Sequence, residues 1–245
     1  MAPDARAPPR VPQAVLRPPE ERGLHVNEVF TSIQGEGRHI GLPTVFLRTM
    51  GCPLRCGWCD TEYSFHEGGW VAWGDLVAQI EAPGVRRLCL TGGEPLIQRD
   101  AWPLVRHLLE AGWEVSIETS GALVCDEASR IAEDLGTEAR SRLTLSLDVK
   151  CPGSGEAKTW KEANLTHVTS SDQLKFIVAD EADYDYARAW VEAHPGLPCD
   201  VWFHPVGGTD GTLLTSLAER ILADHLDVRL GVQLHKLVWG AERGV

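Results

Sequence analysis

The sequence lacks three features that would each indicate a particular class of protein. It has no apolar run long enough to span a bilayer and no signal-peptide core, so we expect a cytoplasmic protein without a membrane partner. It also lacks an excess of basic residues, because 23 Lys and Arg stand against 35 Asp and Glu, a formal net charge of -12. Since nucleic-acid affinity comes largely from cations that neutralise phosphates, we expect a small-molecule partner and no nucleic acid.

The seven cysteines do not fit a disulfide framework, because their number is odd and three of them are clustered. Cys52, Cys56 and Cys59 have the spacing Cys-x3-Cys-x2-Cys, so their sulfurs can converge on one metal centre. Iron-sulfur cubanes are normally held by four thiolates, and a triad therefore leaves one iron open to a small molecule. Structural zinc is the alternative, with His66 or Cys89 as the fourth ligand, but the second Cys-x2-Cys pair typical of such sites is missing.

Apolar strands alternate with predicted helices through most of the chain. A first edge or hairpin strand is predicted at 24–33, and further strands at 44–49, 87–91, 114–118, 143–149, 174–178, 201–203 and 228–234. Helices are predicted at 100–110, 126–135, 180–194 and 212–224. Repeated βα units imply parallel strands with right-handed crossovers. We therefore predict an α/β fold, an open, partial TIM-like barrel of about six parallel strands with flanking helices.

The amino end differs in composition from the rest of the chain. Residues 1–23 carry six prolines, alternating charges and few apolar anchors, which predicts a disordered arm. The remainder shows neither an internal linker nor a sequence repeat. Residues 24–245 are therefore predicted to form a single domain.

Polar or glycine-containing motifs follow the predicted strands, at the end where ligand sites of α/β folds collect. Thr91-Gly92-Gly93-Glu94-Pro95 combines two glycines that allow close backbone approach with a carboxylate that can accept from an ammonium group. An ordinary strand-to-helix turn is the alternative for this motif. Near the amino end, Gln34 and Glu36 offer donors and acceptors to a heterocycle, and Arg48 can bind a carboxylate bidentately.

At these residues the sequence resembles the radical S-adenosylmethionine (SAM) superfamily, whose signature is the same cysteine triad. The surroundings are similar to the 7-carboxy-7-deazaguanine synthase family. The similar segments are Thr31-Ser32-Ile33-Gln34-Gly35-Glu36-Gly37, Gly41-x-Pro43, Val45-Phe46-Leu47-Arg48 and Cys59-Asp60-Thr61. The resemblance covers about residues 26–239.

The resemblance implies a radical SAM core fold and a 4Fe-4S cluster on the three cysteines, with SAM on the open iron. A 5'-deoxyadenosyl radical from SAM would then abstract hydrogen from C6 of 6-carboxy-5,6,7,8-tetrahydropterin. Ring contraction with loss of ammonia would give 7-carboxy-7-deazaguanine, a precursor of queuosine and other 7-deazapurines. The family further implies Mg2+, a flavodoxin or ferredoxin as electron donor, and a homodimer.

The resemblance also implies roles for individual residues. Glu118 would handle protons as the catalytic residue, and Thr61 would bind Mg2+ through its hydroxyl. Contacts to SAM are expected from Trp58, Cys59, Asp60, Gly92, Gly93, Glu94, Asp148, Lys150, His204, Pro205, Val206 and Gly207. Contacts to the substrate are expected from Ile33, Gln34, Gly35, Glu36, Arg48, Thr91 and His235. Asp148 and His204 depart from the family pattern, which often has Ser and Gln at these positions.

Two other functions stay open at this point. One is an activase that places a glycyl radical on a partner protein, which would use the same cluster but need an open face for a peptide. The other is a non-catalytic zinc-binding interaction module, which would contain zinc without acid-labile sulfide.

Overall fold

A computed structural model describes residues 21–208 and 211–245, so the predicted arm lies outside the described residues except for its last three. The described part contains nine strands. They are β1 (Gly23–Ile33), β2 (Pro43–Thr49), β3 (Gly69–Ala72), β4 (Arg87–Gly92), β5 (Glu114–Thr119), β6 (Leu143–Asp148), β7 (Gln173–Val178), β8 (Asp200–Pro205) and β9 (Arg229–Leu230).

The strands form one continuous sheet in the order β3-β1-β2-β4-β5-β6-β7-β8-β9. From β2 to β9 every neighbouring pair is parallel, whereas β1 is antiparallel to both β2 and β3. Parallel neighbours need a crossover, which α-helices provide except between β6 and β7, where the chain forms three short 3-10 helices. The carboxyl ends of the parallel strands consequently meet at one edge of the sheet.

The described residues form six α-helices, of which five lie between strands and the sixth follows the last strand. They are α1 (Trp73–Glu81), α2 (Ala101–Glu110), α3 (Glu127–Ser141), α4 (Glu181–Ala193), α5 (Gly211–Ala223) and α6 (Leu234–Trp239). None of the helices within 21–208 and 211–245 combines the length and apolarity needed to cross a bilayer.

Strand β6 shows how the sequence separates the two faces of the sheet. Leu143, Leu145 and Leu147 are fully buried and belong to the apolar core. Thr144 and Ser146 alternate with them and line a small polar cavity inside the barrel. Because successive side chains of a strand point to opposite faces, a period of two places leucine in the core and hydroxyls in the barrel interior. Strand β6 therefore presents hydroxyl groups to the barrel interior before any functional residue is considered.

The prediction of a strand at 228–234 is mostly wrong. Only Arg229 and Leu230 pair with β8, and a helix begins at Leu234. The chain leaves the sheet at Gly231, where a Cβ atom would come 2.2 Å from the His204 ring. Leu234 N instead donates to Gly35 O at 2.9 Å, which pulls the segment across the barrel mouth.

Two further differences are local. The structure adds β3 and α1, which the sequence analysis missed; Ala72 at the N-cap of α1 provides no side-chain cap that could signal a helix start. Helix α3 begins as predicted but continues past the predicted end at Leu135. Gly136, with φ of 86°, kinks it there.

Candidate active site

A chamber of about 420 Å³ opens at the carboxyl ends of the parallel strands. Its walls come from the ends of β1, β2, β4, β5, β6, β7 and β8, the cysteine loop after β2, and α6 with the residues after it. Polar ends of consecutive parallel strands thus face one space, as expected for α/β folds.

Cys52, Cys56 and Cys59 line this chamber as half-buried free thiols. Burial raises the pKa of Cys52 to about 11, and burial also raises the pKa of Cys56. Without a further positive charge these groups are therefore neutral thiols at pH 7. A metal centre supplies that charge, and thiolates are its ligands, so the site is suited to release protons when metal binds.

Gly92 and Gly93 at the end of β4 fix the start of the cysteine loop. A Cβ atom on Gly93 would lie 2.2 Å from Gly51 O and 2.8 Å from Cys52 Cβ. One on Gly92 would lie 2.4 Å from Thr49 O. Real Cβ atoms do not approach so closely, so both positions require glycine. The close approach that the structure shows at Gly93 is to the cysteine loop.

Glu94 differs from the expectation that it faces a ligand. It is fully buried and does not line the chamber. Its carboxylate accepts from Thr119 Oγ1 at 2.8 and 2.9 Å, from Ser120 N at 2.8 Å and from Leu96 N at 3.1 Å. The structure thus uses this side chain to join the end of β4 to the end of β5.

Four charged side chains form a continuous array across the chamber. Lys175 Nζ lies 3.0 Å from Glu36 Oε2 and 3.3 Å from Asp148 Oδ1. Lys150 Nζ lies 2.7 Å from the other oxygen of Asp148, and 5.3 Å from the centre of the Trp58 ring in the cysteine loop. The array therefore connects the loop after β1 with the cysteine loop.

The array keeps all four groups charged. Burial opposes ionisation of Glu36 and Asp148, but the neighbouring lysine ammonium groups outweigh it and lower the pKa of both carboxyls. Burial likewise opposes the charged form of Lys150 and Lys175, and the carboxylates outweigh it and raise the pKa of both ammonium groups. Two positive and two negative charges sum to zero, which reduces the cost of burying them.

Glu118 projects from the end of β5 without a salt bridge in the described residues. Its Oε2 accepts from Thr91 Oγ1 at 2.9 Å, and Gln34 Nε2 lies 3.4 Å from its Oε1. Three of the predicted catalytic or substrate-binding residues are thereby brought together by direct contacts.

Two histidines face the same part of the chamber. His204, on β8, is 1% exposed, and neither of its ring nitrogens has a hydrogen-bond partner in the described structure. Burial lowers its pKa to about 4, so the ring is neutral at pH 7. His235, on α6, packs against Gly35, where a Cβ atom would lie 2.0 Å from its Nδ1, and burial lowers its pKa as well.

The residues after α6 form a wall that the sequence analysis missed. Residues 240–245 line the chamber. Arg243 holds them there through Glu67 at 2.8 Å and Glu28 at 3.3 Å, and its guanidinium lies 3.7 Å from the centre of the Tyr63 ring. Glu28 also accepts from Arg48 Nε at 2.8 Å, which fixes the guanidinium predicted to bind a carboxylate.

The structure brings nearly all of the predicted site residues to this chamber. Among them, Gly35 and Glu94 alone do not line it. The predicted site residues do not include Lys175, Tyr63, the terminal wall, or a stacked aromatic pair, Phe30 and Phe46, whose ring centres are 5.0 Å apart. The available signal for Lys175 was a lysine inside the otherwise apolar run 174–178.

Comparison of the sequence with known proteins shows the family to which the chain belongs. The Radical SAM superfamily model matches residues 46–149. A 7-carboxy-7-deazaguanine synthase from Koribacter versatilis is 37% identical over 89% of this chain and 98% of its own length. One from Thermoplasma acidophilum is 35% identical over 90% of this chain and 99% of its own length. The chain belongs to the 7-carboxy-7-deazaguanine synthase family.

A solved structure of the QueE enzyme from Escherichia coli has the same fold. It matches with a TM-score of 0.67 and 22% sequence identity, covering 87% of this chain and 95% of that chain. The predicted α/β partial barrel with mostly parallel strands is thus confirmed. As a radical SAM synthase, a carbon-nitrogen lyase, the chain uses a 4Fe-4S cluster and SAM.

The cysteine triad fits such a cluster. All three thiols are free, line one chamber and sit in a loop whose start is fixed by the two glycines of β4. In residues 21–208 and 211–245, no group of three or more His, Cys, Asp or Glu side chains is arranged around a single metal ion. A cubane does not require three ligands around one metal ion, because each thiolate binds a different iron.

Proposed function

We propose that the chamber is where this 7-carboxy-7-deazaguanine synthase converts 6-carboxy-5,6,7,8-tetrahydropterin to its product with loss of ammonia. One observation carries the assignment of the site. The cysteine triad and the polar groups suited to a pterin acid line the same 420 Å³ chamber, at opposite ends of one charged array. A small substrate in this space can therefore lie beside the cluster.

The cluster on Cys52, Cys56 and Cys59, when bound, supplies with SAM the 5'-deoxyadenosyl radical that starts the reaction. The protein's part on this side is to hold SAM in place. We assign that part to Asp148 and Lys150 as paired charges, and to backbone groups of Gly92, Gly93 and the residues 204–207. Trp58 and Asp60, in the cysteine loop, line the same side of the chamber.

Recognition of the substrate is assigned to the loop after β1 and its neighbours. Gln34 and Glu36 face the chamber with an amide and a carboxylate, which suit the donor and acceptor edge of a pterin. Arg48 has two guanidinium nitrogens besides the one that Glu28 holds, and these can bind the substrate carboxylate. Ile33, Thr91 and His235 complete this wall.

Glu118 is assigned the proton transfers. Its carboxylate lies among the substrate-facing residues and accepts hydrogen bonds from neutral groups, so it can gain or lose a proton without breaking an ion pair. Thr61 is assigned to Mg2+, since its hydroxyl faces the chamber and magnesium commonly combines few protein oxygens with substrate oxygens and water.

We also propose a flavodoxin or ferredoxin as electron donor, a homodimer, and one domain spanning residues 24–245. The continuous sheet of the described residues supports the single domain. The relatives that establish the family are synthases, and no separate observation favours the activase or the zinc-binding module.

The decisive experiment is anaerobic reconstitution with iron and sulfide, followed by incubation with SAM, Mg2+, a reductant and 6-carboxytetrahydropterin. We expect 7-carboxy-7-deazaguanine by mass spectrometry and one equivalent of ammonia per product. Samples without SAM, and the variant Cys56→Ala, serve as controls. A brown, cluster-loaded protein that releases neither product nor ammonia would contradict the proposed function.

A further inference from the structure

Lys175 occupies the centre of the charged array, and none of the predicted binding motifs contains it. It lies on β7 between the apolar residues Leu174 and Phe176, is 8% exposed, and lines the chamber. Its ammonium contacts Glu36 on the substrate side and Asp148 on the SAM side, at 3.0 and 3.3 Å. This single cation therefore joins the two assigned halves of the site.

The contacts of Glu36 show what Lys175 can do for a ligand. Oε2 of Glu36 accepts from Lys175, and Oε1 accepts from Gln233 Nε2 at 2.7 Å. A carboxylate has about four acceptor positions, two on each oxygen. Each oxygen thus keeps one position for a ligand, and the two protein donors fix the rotation of the carboxylate. Such a carboxylate is prepared to accept two parallel N–H groups, the arrangement of an amino-pyrimidinone edge.

We propose that Lys175 is a positioning residue of the substrate site, which holds the Glu36 carboxylate ionised and correctly rotated to receive the amino-pyrimidinone edge of the pterin. This inference rests on the proposed function, because it takes that substrate as given. Lys175 acts through Glu36 and makes no direct contact with the reacting atoms.

Several titratable groups surround Lys175 and Glu36. They lie on or just after the parallel strands, and on α6. They are Asp148, Lys150, Glu118, His204 and His235. Burial lowers the pKa of both histidines, for His204 to about 4, so between pH 6 and 8.5 His204 stays neutral. Lys150 and Asp148 stay charged in this range, because their pKa values are shifted away from it.

Removal of the Lys175 charge should make substrate binding depend on pH. In the intact protein the pKa of Glu36 lies below its ordinary value of 4.5, although burial alone would raise it. Without the ammonium, burial dominates and the pKa of Glu36 rises. The carboxyl then takes up a proton as pH falls, and a protonated carboxyl loses an acceptor position. Affinity for the pterin should therefore fall towards acid pH in the variant only.

The test is anaerobic calorimetry of 6-carboxytetrahydropterin binding to the reconstituted, SAM-loaded enzyme without reductant, so that no turnover occurs. The dissociation constant is measured at pH 6.0 and 8.5. We expect the wild type to change by less than about twofold between these pH values. Lys175→Met should weaken by more than the wild type, approaching about tenfold for each pH unit below the raised pKa of Glu36. Lys175→Arg keeps the charge and should restore the flat profile.

Two further variants separate positioning from stability. Tyr184→Phe removes a partly buried hydrogen bond to Asp224 outside the chamber, and should lower stability while leaving the pH profile of binding unchanged. Should Lys175→Met fail to fold, the double variant Glu36→Gln with Lys175→Met removes one charge of each sign. It should fold and bind weakly at both pH values, because no carboxyl remains at position 36 to titrate.

These outcomes separate the proposed function of the chamber from the role given to Lys175. A wild type that fails to bind the pterin contradicts the proposed function itself. A wild type that binds, together with a Lys175→Met variant of equal affinity and an equally flat pH profile, overturns only the role given to Lys175. A double variant whose affinity still falls towards acid pH has the same consequence.

Discussion

Gly93→Ala tests whether the end of β4 determines the position of the cluster ligands. Gly93 does not have a positive φ, so alanine meets no backbone strain there and the effect is purely steric. The new Cβ would lie 2.2 Å from Gly51 O, whereas ordinary carbon–oxygen contacts begin at about 3.3 Å. The cysteine loop must therefore move by roughly 1 Å.

That movement has two measurable costs. Overpacking of this kind destabilises proteins by about 1–3 kcal/mol, which lowers Tm by roughly 2–12 °C in a chain of this size. It also displaces Cys52, whose Cβ the new atom would approach to 2.8 Å. Since ligand groups must be held to within about 0.5 Å, we expect the variant to lose most of its iron.

The chain offers a matched control in Gly74→Ala. Gly74 lies in α1, has ordinary φ, and an added Cβ there would meet nothing within 4 Å. Alanine at this position should stabilise the protein by about 0.5–1 kcal/mol, because it reduces the entropy of the unfolded chain and favours the helix. The difference between the two variants therefore isolates the steric cost at Gly93.

The assays are denaturant unfolding of the apo proteins, and iron and acid-labile sulfide per chain after reconstitution. We expect Gly74→Ala to load iron like the wild type and Gly93→Ala to do so poorly. If Gly93→Ala is as stable as Gly74→Ala and equally rich in iron, then this packing does not position the loop and the reasoning from the glycines fails.

Three further predictions use single substitutions. Cys56→Ala should abolish the brown colour of the reconstituted protein, whereas Cys199→Ala, outside the chamber, should keep it; equal loss in both would contradict the assigned ligands. Thr61→Val should raise the Mg2+ concentration required for half-maximal product formation, and an unchanged titration would remove Thr61 from the metal site. Thr119→Val removes a donor from the buried carboxylate of Glu94 and should lower the free energy of unfolding by about 1.5–3 kcal/mol, and a smaller change in urea unfolding would show that the remaining donors suffice.

The sequence predicts the barrel well, since alternating βα units leave few possible topologies. Within the described residues the parallel strands β2, β4, β5, β6, β7 and β8 appear where apolar runs predict them, whereas β3 was not predicted. The motifs at their carboxyl ends converge because parallel strands leave no other arrangement. The prediction fails at 228–234, where apolar alternation suggests a strand. Gly231 must there pass the His204 ring, and this long-range contact has no signal in the local pattern.

The difference between local sequence patterns and long-range contacts also explains where the prediction of site residues fell short. Glu94 belongs to a motif and was expected to face a ligand, but the donors that bind its carboxylate come from the next strand. Lys175 belongs to no motif, and its importance depends on carboxylates 27 and 139 residues away in the sequence. Local motifs locate the edge of the sheet that carries the site. The pairing of charges across that edge is a property of the folded chain.

Charge pairing also explains how a protein of net charge -12 can accept an acidic substrate. Most carboxylates inside the chamber are matched by a cation in contact: Glu36 by Lys175, Asp148 by Lys150, and Asp60 by Lys236 at 3.1 Å. At such distances pairing dominates, whereas the distant excess charge is screened within about 8–10 Å by salt. Glu118 differs, because its hydrogen bonds come from neutral donors. The chamber is therefore close to electrically neutral for an acidic ligand, and the absence of an ion pair at Glu118 within the described residues supports the proton-transfer role proposed for it.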